Sequence, residues 1–272
     1  MCRVLGVLAS AYYDWLGKEN PSARYHHLRD LNERVACIFH ASNGCYGAPR
    51  VHQSLLDQGF KCNVKTVAKS MAEQSLCAKA GIKFKPKTTD SNHRLNVYDN
   101  LLQQDFTASK VNEKWVGDIT YLDTQEGWVY LAVILDLFSR KVIGWSISQR
   151  MDKRLVCKAF RNAMAARGNP KGVIMHTDRG SQYCSNDYRD LIKSTGSLGS
   201  MSAKGCCYDN AVAESFFHSL KVEMVRGSTR TTRDEMTSNV IRYIETFYNR
   251  ERLHGACGFM SPEQFEVHAL AA

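Results

Sequence analysis

Asp118, Asp178 and Glu214 are three carboxylates whose surroundings could hold them rigidly beside one another. Asp118 lies in Trp115-Val116-Gly117-Asp118-Ile119-Thr120-Tyr121, a β-branched and aromatic run with the composition of a strand. Asp178 follows the apolar run Val173-Ile174-Met175 and then His176-Thr177, which places it just past the end of a second strand. Glu214 falls in Asp209-Asn210-Ala211-Val212-Ala213-Glu214-Ser215-Phe216-Phe217, where Asp209 or Asn210 can cap a helix start and apolar residues recur at helical spacing. Close carboxylates repel, and one of them takes up a proton unless a cation neutralises the group. Oxygen-only ligands favour hard ions, Mg²⁺ or Mn²⁺, and two such ions roughly 3.5–4 Å apart stabilise the attacking and leaving oxygens of an in-line phosphoryl displacement. The chemistry implied is the cutting or joining of a nucleic-acid backbone.

Lys221 stands seven positions, or two helical turns, after Glu214, so it shares that face and could reach a phosphate. Strands are expected on either side of the Glu126-Gly127 turn, over Trp128 to Leu135 and over Val142 to Ile147. The apolar positions Leu155, Val156, Ala159, Phe160, Ala163 and Met164 then mark a helix running to Gly168. Asp136 and Arg140 could pair across a turn, Asp123 and Glu126 are solvated hairpin acids, and His176 either orients substrate or packs as a core histidine.

Around these residues the chain resembles the DDE transposases of bacterial insertion sequences, the kind encoded by a second reading frame, whose catalytic core is similar to that of retroviral integrases. The matching segments are Gly117 to Tyr121, Gly127 to Ala132, Asp136 to Arg140, His176 to Tyr183, Tyr208 to Ala211 and Ala213 to Phe217, followed by Tyr248-Asn249-Arg250, Arg252-Leu253-His254 and Ser261-Pro262. The 35 residues between Asp178 and Glu214 are the spacing for which that family is known. Thr177 stands where the family commonly has serine, and Cys206-Cys207 fills a stretch that usually carries an asparagine before the cysteine.

The resemblance implies an α/β fold with a ribonuclease H-like mixed sheet flanked by helices, preceded by a helical, helix-turn-helix-like domain. It implies a catalytic site of Asp118, Asp178 and Glu214 holding two Mg²⁺ ions, with Mn²⁺ as a substitute, and Lys221 positioning phosphate. It also implies several subunits assembled on paired transposon ends, a target DNA, a partner supplied by an upstream reading frame, and a bacterial cytoplasmic location at the nucleoid. A metal-dependent nuclease of the same fold and a noncatalytic DNA-binding regulator are the alternatives.

Composition agrees with a polyanionic partner: 36 Lys and Arg against 27 Asp and Glu give a net charge of +9 over 272 residues. No apolar run reaches the roughly 18 residues of a membrane span. The start of the chain, Met1 to Ser10, reads as the first helix of a domain and not as a signal peptide. Ten cysteines without any Cys-x-x-Cys pair suit reduced thiols in a cytosol. His26, His27, Cys37, His40 and Cys45 crowd together, but half of a zinc-binding pattern is missing, so zinc is not expected there.

Three regions are expected: a helical domain over 1–78, a basic linker over 79–112 and a catalytic core over 113–272. In the first, Leu28, Leu31, Val35, Ile38 and Phe39 recur at helical spacing, Asn43-Gly44 breaks the helix, and Pro49 opens another with Val51, Leu55 and Leu56 on its stripe. A third helix begins near Val64. If this bundle reads DNA, Lys61, Lys65, Thr66 and Lys69 flank or line the element facing it; otherwise the lysines are a solvated face. Lys83, Lys85 and Lys87 of the linker could lie along phosphates. Near the C-terminus, Thr232 and Glu235 form a capping-box pattern ahead of an apolar face of Met236, Val240, Ile241, Ile244 and Phe247. Arg250 and Arg252 follow, either contacting DNA or capping the helix end.

Overall fold

The computed structural model describes residues 6, 8–19, 22–79, 97–203, 210–225 and 231–271. The chain separates into two compact units, residues 1–80 and 81–272.

The first unit contains α1 (Ala9–Glu19), α2 (Ala23–Ala41), α3 (Ala48–Asp57) and α4 (Val64–Glu73). Ser22 and Asn63 cap α2 and α4 through their side chains, and a proline opens α3. Asn43 and Gly44 both take positive φ at the break after α2. The core joins Leu31, Val35 and Phe39 of α2 to Val51 and Leu55 of α3 and Val67 and Met71 of α4. Ser70 of α4 also donates to Asn32 of α2 at 2.6 Å. Leu28 and Leu56, placed on the buried stripes by periodicity, are exposed. At 1.5 Å per residue α2 is about 28 Å long and its partners about 15 Å, so the first turns of α2 run past the helices that could cover them. His27 instead stacks on Phe60 at 5.1 Å, and Cys45 is buried.

The second unit is built on a five-stranded mixed sheet of order β3-β2-β1-β4-β5, with β1 (Lys114–Thr124), β2 (Gly127–Asp136), β3 (Val142–Ser148), β4 (Ile174–Thr177) and β5 (Leu198–Met201). The first three strands form an antiparallel meander, whereas β4 runs parallel to β1 and β5 parallel to β4. Helices α5 (Lys153–Ala166) and α6 (Asn186–Ser194) supply the core on one face with Trp115, Ile134 and Met175 of the strands. Helices α7 (Ala211–Leu220) and α8 (Arg233–Arg242) supply the other with Val116, Leu122, Leu131, Val133 and Leu135. Alternation along β1 and β2 divides these two sets. This is the mixed sheet flanked by helices that the resemblance implied. No helix among the described residues is long and apolar enough to cross a membrane.

Three features were not anticipated. Helix α6 is short, with Tyr188, Leu191 and Ile192 as its apolar stripe behind a Ser185 cap, and strand β5, Leu-Gly-Ser-Met, has no period to read and is held by its ladder to β4. Helices α7 and α8 both widen into π-helical turns, over Lys221–Val225 and Tyr243–Tyr248. The second widening brings Tyr243 and Tyr248 to the core beside the expected Ile244, while Ile241 stays exposed and Phe247 is only partly buried against it. Finally, residues 97–112 of the expected linker pack on this unit: Leu102 is buried and Leu101 donates its N–H to Ser200 at 2.9 Å. The expected lysines Lys83, Lys85 and Lys87 lie outside the described residues. Thr232 and Glu235 form the expected capping box at α8, and helix α9 (Pro262–Ala271) closes the chain.

At Gly144 strand β3 closely approaches α5. A Cβ there would meet the Ala159 carbonyl oxygen at 2.5 Å and the Ala163 nitrogen at 2.6 Å, both backbone atoms of a packed helix. Gly144→Ala is therefore expected to lower stability by about 1–3 kcal/mol or more, read as a lower urea midpoint with an unchanged m-value; an unshifted midpoint would refute this packing.

Candidate active site

The ladder between β1 and β4 ends at the pair Gly117–Thr177. Asp118 and Asp178 are the next residues on the two parallel strands, so the place where the ladder stops puts both aspartates side by side. Each is oriented by the backbone. Asp118 Oδ1 accepts from the N–H of Ile119 at 2.8 Å, and Asp178 Oδ1 accepts from the N–H of Gly180 at 3.0 Å. A Cβ on Gly180 would stand 3.0 Å from that same Asp178 oxygen, so a larger residue there would push on the carboxylate.

Glu214 comes from the first turn of α7 and is exposed. Asn210, at the N-cap position, does not cap the helix with its side chain as the sequence suggested; its Nδ2 donates to the carbonyl of Gly117 at 3.2 Å, across a buried contact. That bond pins the start of α7 to the strand residue preceding Asp118.

Electrostatics joins the group. Burial raises the Asp118 carboxyl well above the usual carboxylate range, and the neighbouring charges of Asp178 and Glu214 raise it further; the Ile119 N–H and the Lys221 cation pull the other way. Asp118 is half-buried by surface area, opening to solvent at the ladder's end, yet its carboxyl lies deep enough for desolvation to be the largest cause. Burial likewise lowers the Lys221 ammonium, opposed by Asp118, and its Nζ lies 4.6 Å from the centre of the Tyr121 ring. Among the described residues no three His, Cys, Asp or Glu side chains stand ready-made around one ion. Carboxylates kept somewhat apart are what repulsion dictates until a cation offsets it. A hard divalent ion fits this donor set, because it is all oxygen and its charge would offset the burial and the repulsion that raise the Asp118 carboxyl.

The remaining sequence candidates divide clearly. His176 is buried, with Nδ1 2.8 Å from Ser200 Oγ and Nε2 3.3 Å from Ser202 Oγ, so it packs in the core. Asp136 is fully buried and takes N–H groups from Asn112 and Phe138; its ion pair is with Arg167, not Arg140, whose guanidinium donates to the Phe106 carbonyl. Glu126, expected to be merely solvated, accepts the first N–H of α8 from Arg233 at 2.6 Å. Lys61, Lys65, Thr66 and Lys69 are all exposed on or beside α4, and Arg250 is exposed beside Glu263 at 3.5 Å.

Arg252 departs from expectation. Its side chain is only 6% exposed and forks onto Glu223, itself 7% exposed, with bonds of 2.7–3.1 Å, while NH2 also donates to Ser219. Tyr243 donates to the same carboxylate at 2.7 Å. The guanidinium is thus consumed in clamping the π-helical turn that begins at Lys221, and it has no face left for phosphate. Neither this clamp nor the Asn210 tie was legible as such; the only signal was that Arg252-Leu253-His254 and Tyr208-Asp209-Asn210 lie in matching segments.

Comparison with known proteins places these features in a family context. Residues 108–207 and 214–270 match two models described as integrase core domain, and residues 27–83 match an HTH-like domain. The chain is 52% identical over 272 residues to the transposase InsF for insertion sequence IS3A of Escherichia coli (strain K12), covering 100% of this chain and 94% of that protein. It is 40% identical over 274 residues to the insertion element IS600 uncharacterized 31 kDa protein of Shigella sonnei, covering both chains in full. Among solved structures, it is similar to a chain of the simian T-cell lymphotropic virus intasome in complex with PP2A regulatory subunit B56 gamma, at TM-score 0.48 and 16% identity, over 79% of this chain and 70% of that one. The HTLV-2 integrase catalytic core domain in complex with magnesium gives TM-score 0.45 and 16% identity over 59% and 99%.

Arg252→Ala would strand the buried Glu223 carboxylate and is expected to destabilise the core by about 3–5 kcal/mol, whereas Arg250→Ala, at the surface, should stay within about 0.5 kcal/mol. Chemical denaturation of both variants measures this, and equal midpoints would show that Arg252 is not a structural clamp.

Proposed function

Because the chain belongs to the insertion-sequence transposases with an integrase catalytic core, we propose that it cuts DNA at the ends of an insertion sequence and joins the freed 3′-hydroxyl to another phosphodiester at the site of Asp118, Asp178 and Glu214. The observation that carries this assignment is the placement of Asp118 and Asp178 at the end of one parallel ladder, with Glu214 and Lys221 within electrostatic reach of Asp118.

The residues divide the task. The N–H groups of Ile119 and Gly180 fix the orientation of the two aspartates, so their carboxylates are preorganised before DNA arrives. Glu214 brings the third carboxylate from a helix tied to the same strand by Asn210. Lys221 places a cation beside Asp118, where it holds a non-bridging phosphate oxygen. Bound at these carboxylates, two Mg²⁺ ions, or Mn²⁺, would activate the attacking water or 3′-hydroxyl and neutralise the leaving oxygen.

The helical domain, 1–78, presents Lys61, Lys65, Thr66 and Lys69 to the transposon end, the segment that follows adds Lys83, Lys85 and Lys87 along phosphates, and Arg250 is a surface contact of the catalytic core. Several copies act on paired ends together with target DNA, an upstream-frame protein supplies further end-binding helices, and the work is done in the bacterial cytoplasm at the nucleoid.

Purified chain with labelled end DNA and Mg²⁺ or Mn²⁺ is expected to give joined products that Glu214→Gln abolishes. Cleavage without joining would replace this reading by a nuclease, and metal-independent products would remove the carboxylate site.

The raised Asp118 carboxyl sets a pH dependence. Its folded-state value lies above the unfolded one, so the folded chain binds the extra proton, and its stability falls as pH rises through that folded value. A divalent ion removes the penalty carried by the ionised form. The rise in Tm produced by Mg²⁺ is therefore expected to grow from acid toward neutral and alkaline pH and to vanish in Asp118→Asn; a pH-independent rise that survives this substitution would place the ion elsewhere.

A further inference from the structure

The β1–β2 hairpin carries an aromatic pair that catalysis does not use. Tyr121 and Trp128 meet edge to face, with ring centres 4.8 Å apart and planes at 89°. Lys221 stands over the Tyr121 ring, so the same cation that senses Asp118 borders this pair. Trp128 nevertheless leaves 47% of its surface to solvent.

The hairpin that presents it is rigid. The Gln125 N–H donates to Thr231 at 3.0 Å, and Glu126 accepts from the Arg233 N–H at the start of α8. Strand β4 ends at Thr177, opposite Gly117, so among the described residues β1 beyond that point has no strand paired to it on the catalytic side. Opposite Trp128 in the ladder stands Asp123. A carboxylate there disfavours phosphate and leaves the base as the part of a nucleotide that fits.

Building on the transposase reading, we infer that Trp128 and Tyr121 form a stacking subsite for one unpaired nucleobase of the DNA strand passing through the active site. An aromatic ring gains a base π-face only when that base leaves its own stack, and such stacking tolerates any base sequence. A ring already held in place loses little freedom on binding. Along the strand, Tyr121 lies three residues from Asp118 and Trp128 faces the fifth, about 10 and 17 Å at 3.3–3.4 Å per residue and on the alternate face of β1, with Lys221 reaching both Tyr121 and Asp118. At the about 3.4 Å spacing of a stacked strand that span is roughly three to five nucleotides, and a splayed strand covers it in fewer, so the captured base lies within about five nucleotides of the phosphate being cut. Holding it there keeps the end splayed and the reacting strand in register with Asp118 and Lys221.

The test is an abasic walk. End duplexes of the element that encodes this chain, each lacking one base within seven nucleotides of the cut, are bound to the full chain and to Trp128→Ala and Trp128→Phe. In the wild type one position, within about five nucleotides of the cut, should weaken binding about 5- to 150-fold. In Trp128→Ala the intact duplex should already be weakened by that factor, with no further loss at that position, and Trp128→Phe should retain most of the effect. A flat walk in the wild type, or a walk unchanged by Trp128→Ala, overturns the subsite. Wild-type joining on the unmodified end, run in parallel, separates that result from a failure of the transposase reading.

Discussion

The arrangement depends on forcing like charges together. Asp118 loses hydration and gains two acidic neighbours, each of which opposes its ionisation. Nothing in the local chemistry of three carboxylates draws them into one place; the remainder of the fold must. The sheet does so by geometry, since two parallel strands whose ladder stops at Gly117 and Thr177 have no choice but to emit their next residues side by side. Backbone N–H groups at Ile119 and Gly180 then fix the carboxylates, and buried Trp115, Val116 and Met175 anchor the strands beneath.

The C-terminal third of the chain braces that geometry. Asn249 donates to the Val142 carbonyl and accepts from its N–H, so one side chain occupies both backbone groups at the edge of β3. Glu266 of α9 takes Arg167 and Ser139, joining the last helix to the buried Asp136 at the end of β2. Glu126 sits at the start of α8, where the helix dipole favours a negative charge. These ties act at three different places on the sheet, the β3 edge, the end of β2 and the β1–β2 turn, and each is made by a polar side chain. At Val142 the Asn249 side chain takes edge N–H and C=O groups of the kind that another strand would otherwise pair with.

Much of this was legible. Strand and helix order through α5, the turn at Glu126-Gly127, the N-terminal helices near 24–40, 49–57 and 64 onward, and the capping box at Thr232 all follow from apolar periodicity and cap chemistry. Periodicity reports which residues of one element share a face; it carries no information about where a partner element ends. Leu28 and Leu56 were therefore misplaced, and β5, with Leu-Gly-Ser-Met, has no period to read. Single-residue ties fail for a related reason. Arg250 and Arg252 are two cations two positions apart, and only the fold shows that one meets solvent while the other meets Glu223.

The clamp at Glu223 links those distant parts to the chemistry. A π-helical turn is less favourable than the α-helix it interrupts and persists only where the surroundings hold it. Here it begins at Lys221, and Arg252, Tyr243 and Ser219 meet around Glu223 to hold it. In a helix, residues two apart point to nearly opposite sides, so fixing Glu223 inward fixes Lys221 outward, toward Tyr121 and Asp118. Asn210 pins one end of the same helix to Gly117 and the clamp pins the other, with Glu214 between them. The helix that carries the third carboxylate is thereby held at both ends, and its orientation is set by residues that themselves touch neither metal nor DNA.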